Sequence, residues 1–316
     1  MAYKLDKTLV IGISATALFD LSEADTLFKT EYEKHPDSAI DIYRAFMLEN
    51  EDKPLQEGIG FALVKALLNL NRFQKKGESP LVEVVVMSRN SPDTGVRVLN
   101  TIRALKLNVT RSAFTAGESS ADYLEAFDVD LFLTTNEEDA QKVTDNRVCA
   151  SAILRAPKEY KYDADDAQVR IAFDGDAVLF DESSEIVYKN EGIEAFHENE
   201  KNAQNIPMNE GPFAGFLKKL AKLQERLPMK MEFSPVRIAI VTARNAPSDI
   251  RVIKTLRNWG VYVDEAFFLG GIEKSKILKA FRAHIFFDDQ DVHLKNSELV
   301  VPSGKVLYPS HSDLNS

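Results

Sequence analysis

Four short stretches of the chain carry side chains of the types a phosphoryl-handling site needs. Asp174-Gly175-Asp176 stands directly after the apolar run Val169 to Phe173, and Asp288-Asp289 directly after Ile285-Phe286-Phe287. Between them Thr242 follows Ile240-Val241, and Lys274 ends the turn Gly270-Gly271-Ile272-Glu273, with Lys276 as an alternative cation. Each stretch alone has a bland reading. Asp-Gly-Asp is a common surface turn, Asp-Asp after a strand is often a helix cap, Thr242 fits a capping hydroxyl and Lys274 a solvated amine. Their shared placement argues otherwise, because ligands of an open parallel sheet bind beyond the carboxyl ends of its strands, and both acidic pairs lie at such ends.

The elements that would carry these residues occur twice. Ser88-Arg89-Asn90-Ser91-Pro92 precedes Arg97-Val98-Leu99-Asn100-Thr101-Ile102-Arg103, and Ala243-Arg244-Asn245-Ala246-Pro247 precedes Arg251-Val252-Ile253-Lys254-Thr255-Leu256-Arg257. Arg97 and Arg251 are 154 positions apart (251 less 97), with a one-residue slip before them. At that offset Phe114, Gly117, Leu124, Phe127 and Phe132 meet Phe268, Gly271, Leu278, Phe281 and Phe286. Upstream, Glu57-Gly58 matches Glu210-Gly211, and Ala17-Leu18-Phe19-Asp20 matches Val178-Leu179-Phe180-Asp181. Strands alternating with helices imply a parallel sheet covered by helices. In the second copy the expected strands are Val169 to Phe173, Val236 to Val241, Glu265 to Phe268 and His284 to Phe287. Ile250, Ile253, Leu256 and Trp259 have helical spacing, and Gly260 suits the end of that helix. A helical insertion spans about 182–227, with Phe216, Leu217, Leu220 and Leu223 as a core-facing stripe. The division is therefore a first copy at 1–155, a linker at 156–168 and a second copy at 169–316. The repeat leaves open whether the copies are separate domains or one sheet.

Composition bounds the setting. The 316 residues are 44% hydrophobic and 28% charged, with a net charge of −10, a globular balance. That charge disfavours a nucleic-acid polymer or an anionic membrane as partner, since either rewards a basic face. The apolar run Leu9 to Ile13 is too short for a signal core or a span, so a cytoplasmic location is expected. The single cysteine, Cys149, fits a small apolar residue and excludes a disulfide or thiolate cluster within the chain. The five histidines, His35, His197, His284, His293 and His311, show no metal-ligand spacing, so any metal should be hard and oxygen-bound. Association into a homo-oligomer is compatible with all of this.

The order Asp-x-Asp, Thr, Lys, Asp-Asp resembles the four motifs of the haloacid dehalogenase superfamily of phosphatases. A response-regulator receiver domain uses similar residues but places the acidic pair first. Phe173-Asp174-Gly175-Asp176-Ala177-Val178-Leu179-Phe180, Val241-Thr242-Ala243-Arg244, Phe267-Phe268-Leu269-Gly270-Gly271 and Ile285-Phe286-Phe287-Asp288-Asp289-Gln290 look like the cytosolic 5'-nucleotidase type I family. The likeness reaches into the first half through Leu9-Val10-Ile11-Gly12-Ile13-Ser14 and Ala17-Leu18-Phe19-Asp20. The fold then implied is α/β and Rossmann-like, of haloacid dehalogenase type, in two tandem homologous copies with helical insertions.

The resemblance also implies roles. Asp174 attacks phosphorus, and Asp176 protonates the departing 5'-oxygen and then activates water. Asp288, with Asp289 beside it, holds Mg2+ jointly with Asp174 and the backbone carbonyl of Asp176. Thr242 hydrogen-bonds phosphoryl oxygens and Lys274 neutralises charge during transfer. The substrate implied is a nucleoside 5'-monophosphate. Alternatives are a phosphatase or phosphotransferase for another small phosphate ester, or a non-catalytic nucleotide sensor. The first copy has Ile13-Ser14-Ala15 and Thr134-Thr135 where the second has its acids, so it is expected to be catalytically silent. Its polar turns are candidates for binding the nucleoside: Asn90 and Ser119 foremost, with Arg89 and Thr115, joined by Arg244 from the second copy.

Overall fold

The computed structural model describes residues 5–157, 168–228 and 234–315; the expected linker lies, apart from its ends, outside the described residues. Twelve strands are described: β1 (Leu9–Ser14), β2 (Phe19–Asp20), β3 (Gln56–Glu57), β4 (Val82–Ser88), β5 (Arg111–Phe114), β6 (Leu131–Thr134), β7 (Ala150–Arg155), β8 (Val169–Phe173), β9 (Val236–Thr242), β10 (Glu265–Phe268), β11 (Ile285–Asp288) and β12 (Ser303–Lys305). Ten of them join in one sheet, in the order β10-β9-β8-β11-β12-β7-β6-β1-β4-β5, while β2 and β3 pair apart. The strands expected in the second copy are present, except that β9 extends to Thr242 and β11 spans Ile285–Asp288.

Taken inward from each edge, β5-β4-β1-β6-β7 and β10-β9-β8-β11-β12 follow the same order. In the ten-stranded sheet every pairing within a half is parallel. The halves meet at β7 and β12, which run antiparallel, with Ser303 opposite Arg155 and Lys305 opposite Ile153. The carboxyl ends of the two sets of strands therefore lie on opposite edges of the sheet. At this seam Gly304 has no room for a side chain: a Cβ would stand 2.6 Å from the Phe287 ring and 3.0 Å from the Ala152 Cβ.

Parallel strands buried on both faces read as continuous apolar runs, which is why Leu9 to Ile13 and Val82 to Met87 show no alternation. One face carries a single core through both halves, including Ile11, Ile13, Val84, Ile171, Phe173, Ile240 and Phe287. The other face carries two cores, one around Val10, Val85 and Phe132 and one around Ala172, Val241 and Phe286. The stripe Phe216, Leu217, Leu220 and Leu223 is buried on the helix Ala214–Glu225, as expected. The helix Asp249–Asn258 differs. Its buried residues are Val252, Thr255 and Leu256, whereas Ile250 and Ile253 are exposed. The Thr255 hydroxyl can face inward because it donates to the Arg251 carbonyl and accepts from the Met208 N–H.

Positive φ recurs at matched places: Lys106 and Gly260, Ala116 and Gly270, Gly117 and Gly271, Asp128 and Arg282. So does a close crossing after each first strand. A Cβ on Gly58 would lie 2.7 Å from the Phe19 nitrogen, and one on Gly211 would lie 2.2 Å from the Phe180 oxygen. The segment Ser183–Asn202 is broken at Gly192, where φ is 86° and ψ −178°. Ser184 and Glu200 touch at 2.9 Å, although sixteen residues of straight helix would hold them about 24 Å apart. The segment is thus a helical hairpin.

Candidate active site

The carboxyl ends of β8, β9 and β11 bring the second-half residues together. The Asp174 N–H donates to the Phe287 carbonyl at 2.8 Å, which ties the end of β8 to β11. Its Oδ1 accepts from the Gly175 N–H at 2.7 Å, and its Oδ2 lies 2.9 Å from Lys274 Nζ. The same ammonium donates to Asp288 Oδ2 at 2.7 Å. Lys274 opens the helix Lys274–Phe281 and is buried, while Lys276 is exposed, so the cation beside the acids is Lys274. Thr242 ends β9 and is buried; a Cβ on Gly175 would come within 3.3 Å of its hydroxyl, so that hydroxyl stands beside the turn carrying the acids.

Two buried carboxylates, those of Asp174 and Asp288, thus share one ammonium, and the carboxylate of Asp289 is buried next in sequence. Burial raises the Asp174 carboxyl to about 6, against the pull of Lys274 and with the help of Asp288. Burial, followed by the charges of Asp288 and Asp174, lifts Asp289 well above the carboxylate range. Burial works against ionisation of Asp288 too, but Lys274 and His293 overcome it and hold that group low. Burial also opposes the Lys274 charge, yet Asp174 and Asp288 raise its affinity for the proton. Asp289 Oδ2 accepts from the Tyr308 hydroxyl, while Oδ1 is buried without a hydrogen-bond partner. An orphaned carboxylate oxygen amid an excess of buried negative charge is what a hard divalent cation satisfies. The donors fit Mg2+. Ligand atoms of Asp174, Asp288 and His293 lie within 4.8 Å of one another.

Asp176 is placed differently from its two acidic neighbours. Both of its oxygens accept from Arg244, Oδ2 from Nε at 2.8 Å and Oδ1 from Nη2 at 2.6 Å. Arg244 Nη1 donates to Glu200 at 2.5 Å, so the guanidinium is fully engaged and its side chain is 1% exposed. Arg244 thus faces Asp176 on one side and Glu200 on the other. The structure does not bring the other nucleoside-binding candidates to the acids. Asn90, Arg89, Thr115 and Ser119 sit at carboxyl ends of first-half strands, on the edge opposite Asp174, and six strand steps separate β8 from β4. At about 4.8 Å per step that is roughly 25–30 Å, beyond the reach of one mononucleotide. Most of their polar groups are occupied locally, although Asn90 Nδ2 is buried without a hydrogen-bond partner. Ser119 Oγ and Arg89 bind Asp139, Thr115 donates to the Glu118 carbonyl, and Asn90 Oδ1 accepts from Tyr43.

Sequence reasoning missed Glu200, Tyr308, Lys305 and His293. His293 Nδ1 lies 3.3 Å from Asp288 Oδ2; its position five residues after Asp288, in the first turn of the next helix, was the available signal. Lys305 donates to the Asp289 carbonyl and lies 3.2 Å from Asp291. Beside the site a cavity of about 720 Å³ is lined by Ala177, Asp181, Glu182 and Tyr308 of the second half and by Cys149 and Ser151 of the first.

A family model described as 5'-nucleotidase matches residues 1–313. The chain belongs to the 5'-nucleotidase family. This family member is 34% identical over 301 residues to human cytosolic 5'-nucleotidase 1B, an alignment covering 93% of this chain and 48% of that protein. The chain thus spans about half the length of that relative. Among solved structures, a chain of the Pnkp1/Rnl/Hen1 complex aligns over 96% of this family member and 97% of its own length, at 14% identity and a TM-score of 0.33, too slight a likeness to bear on the fold. No helix among the described residues is long and apolar enough to cross a membrane.

Proposed function

We propose that this chain hydrolyses nucleoside 5'-monophosphates to nucleoside and phosphate through an aspartyl-phosphate on Asp174, with Mg2+ as cofactor and the cytosol as its location. The observation that carries this reading is the convergence of Asp174, Asp288 and Lys274 within 2.7–2.9 Å at the carboxyl ends of neighbouring strands. Family membership and the relative's name supply the substrate class. Asp174, Asp288, Asp289 and the Asp176 carbonyl are the groups that would hold Mg2+, whose charge lets an anionic carboxylate approach an anionic phosphate.

In this reading Asp174 Oδ attacks phosphorus as the bond to the 5'-oxygen breaks, and Asp176 gives that oxygen its proton. Lys274 meets the charge gathering on the phosphoryl oxygens, and the Thr242 hydroxyl donates to one of them. The ionised Asp176 then takes a proton from water as it attacks the acyl phosphate. The cavity at the junction of the halves is of ligand-pocket size and offers the nucleoside room close to Asp176. The shared strand order, the matched positive-φ positions and the twin glycine crossings support a haloacid dehalogenase unit repeated in tandem, with acids only in the second copy.

The test is phosphate release from ribo- and deoxyribonucleoside monophosphates and sugar phosphates, with Mg2+ and with chelator. Release from nucleotides, lost on chelation, is the expected result. Release from sugar phosphates alone would move the substrate class, and release from none would overturn the enzyme reading in favour of a sensor.

A further inference from the structure

The hairpin Ser183–Asn202 buries three side chains, Ser184, Phe196 and Glu200, and all three bear on one guanidinium. Glu200 Oε2 accepts from Arg244 Nη1 at 2.5 Å. The Phe196 ring lies 5.2 Å from Arg244 Cζ. The Ser184 hydroxyl donates to Glu200 Oε1 at 2.9 Å, and Arg251 Nη1 donates to the same oxygen at 2.8 Å. A hairpin that merely covered the fold would bury apolar residues. This one buries a chain of alternating charge, Asp176, Arg244, Glu200, Arg251, that ends beside the nucleophile.

Buried ion pairs add little net stability, because desolvation offsets their attraction. What the chain supplies is geometry. Asp176 sits in an irregular turn, with Ala177 at φ 56° and its own side chain 13% exposed, and the two hydrogen bonds from Arg244 set the plane of its carboxyl. Arg244 can do this only while its third nitrogen and its flat face are held by Glu200 and Phe196.

We propose that Glu200 is a positioning residue for proton transfer: through Arg244 it sets the bearing of the Asp176 carboxyl toward the leaving oxygen. This rests on the reading of Asp176 as the acid. As the bond from phosphorus to the 5'-oxygen breaks and that from phosphorus to Asp174 forms, the proton moves from Asp176 to the 5'-oxygen. Asp176 is left as a carboxylate already facing the guanidinium. The hairpin is thereby part of the catalytic geometry.

The experiment compares kcat/KM, which covers the steps up to loss of the leaving group and not the later hydrolysis of the acyl phosphate that both substrates share, for a nucleoside 5'-monophosphate and for p-nitrophenyl phosphate, both with Mg2+. A 5'-alkoxide leaves poorly without a proton, whereas nitrophenolate leaves readily, so loss of a general acid is felt mainly on the nucleotide. Glu200→Gln is expected to lower kcat/KM on the nucleotide by roughly 30-fold or more and on the aryl phosphate by less than about fivefold. In an Asp176→Asn background the same change should cost less than about twofold, since it acts through the group already removed. Ser184→Ala, which deletes only the hydroxyl on Glu200, should shift the ratio of the two kcat/KM values the same way by roughly threefold, and it carries the test if Glu200→Gln yields little folded protein. Equal losses on both substrates, a full loss in the double variant or an unmoved ratio in Ser184→Ala would overturn the proposal. If Asp176→Asn itself lowered kcat/KM alike on both substrates, the acid assignment would fall first, a separate failure that takes the proposal with it.

Discussion

In the proposed mechanism Asp174 carries two demands that conflict: it must be buried among other acids to meet phosphate away from water, and it must be ionised to attack. Its carboxyl is raised to about 6 by burial and by Asp288. A raised folded-state value means stability that is fully present below the unfolded value near 4 and is lost as pH rises through about 6. The metal-free protein should therefore lose stability between about pH 4 and 7, with a contribution from Asp174 on the order of 1–3 kcal/mol. Asp174→Asn should remove that part of the slope while abolishing turnover, and Mg2+ should flatten the slope in the wild type only. Urea midpoints at several pH values, with and without Mg2+, check this; a variant whose slope matches the wild type would refute it. The meeting of Asp174, Thr242 and Asp288 is legible because each ends an apolar strand or directly follows one, where sequence position nearly fixes spatial position. Glu200 is not. It stands in His197-Glu198-Asn199-Glu200-Lys201, which reads as a solvated run, and only the reversal at Gly192 turns it inward.

At the scale of elements, the hairpin depends on one backbone angle. Gly192 has φ 86° and ψ −178°, a region essentially closed to residues with a Cβ, yet nothing lies within 4 Å of where that Cβ would be. The cost of Gly192→Ala is thus conformational alone, about 1–3 kcal/mol, and it falls where the hairpin turns Glu200 back toward Arg244. The variant should stay folded, lose thermal stability and lose turnover of nucleotide more than of aryl phosphate. A loss of stability with unchanged kcat on both substrates would separate the hairpin from catalysis. The helix Asp249–Asn258 shows why faces are harder to read than elements. Ile250 and Ile253 have the right spacing, but buried Thr255 satisfies its hydroxyl on the backbone and takes the inward place that hydropathy alone gives to isoleucine.

At the scale of the molecule, the sense in which the two half-sheets join is not legible in the sequence. Strand order within a half is written in local periodicity and turn residues, whereas the antiparallel seam depends on β7 and β12, short strands whose pairing has no separate signal in the sequence. That one relation sends the polar turns of the first half to the far edge of the sheet. It also makes the halves interdependent, because the core on one face runs through both without a break. The protein should therefore unfold as one unit although its pattern is twofold. Trp259, the single tryptophan, reports on the second half by fluorescence, and hydrogen exchange at the amides of β4 reports on the first. Their denaturation midpoints should coincide. Gly304→Ala, which drives a Cβ against the Phe287 ring at 2.6 Å, should lower both midpoints together by about 1–3 kcal/mol. A variant in which fluorescence shifts while β4 keeps its protection would mean that each half-sheet folds by itself and that the seam is only a contact between them.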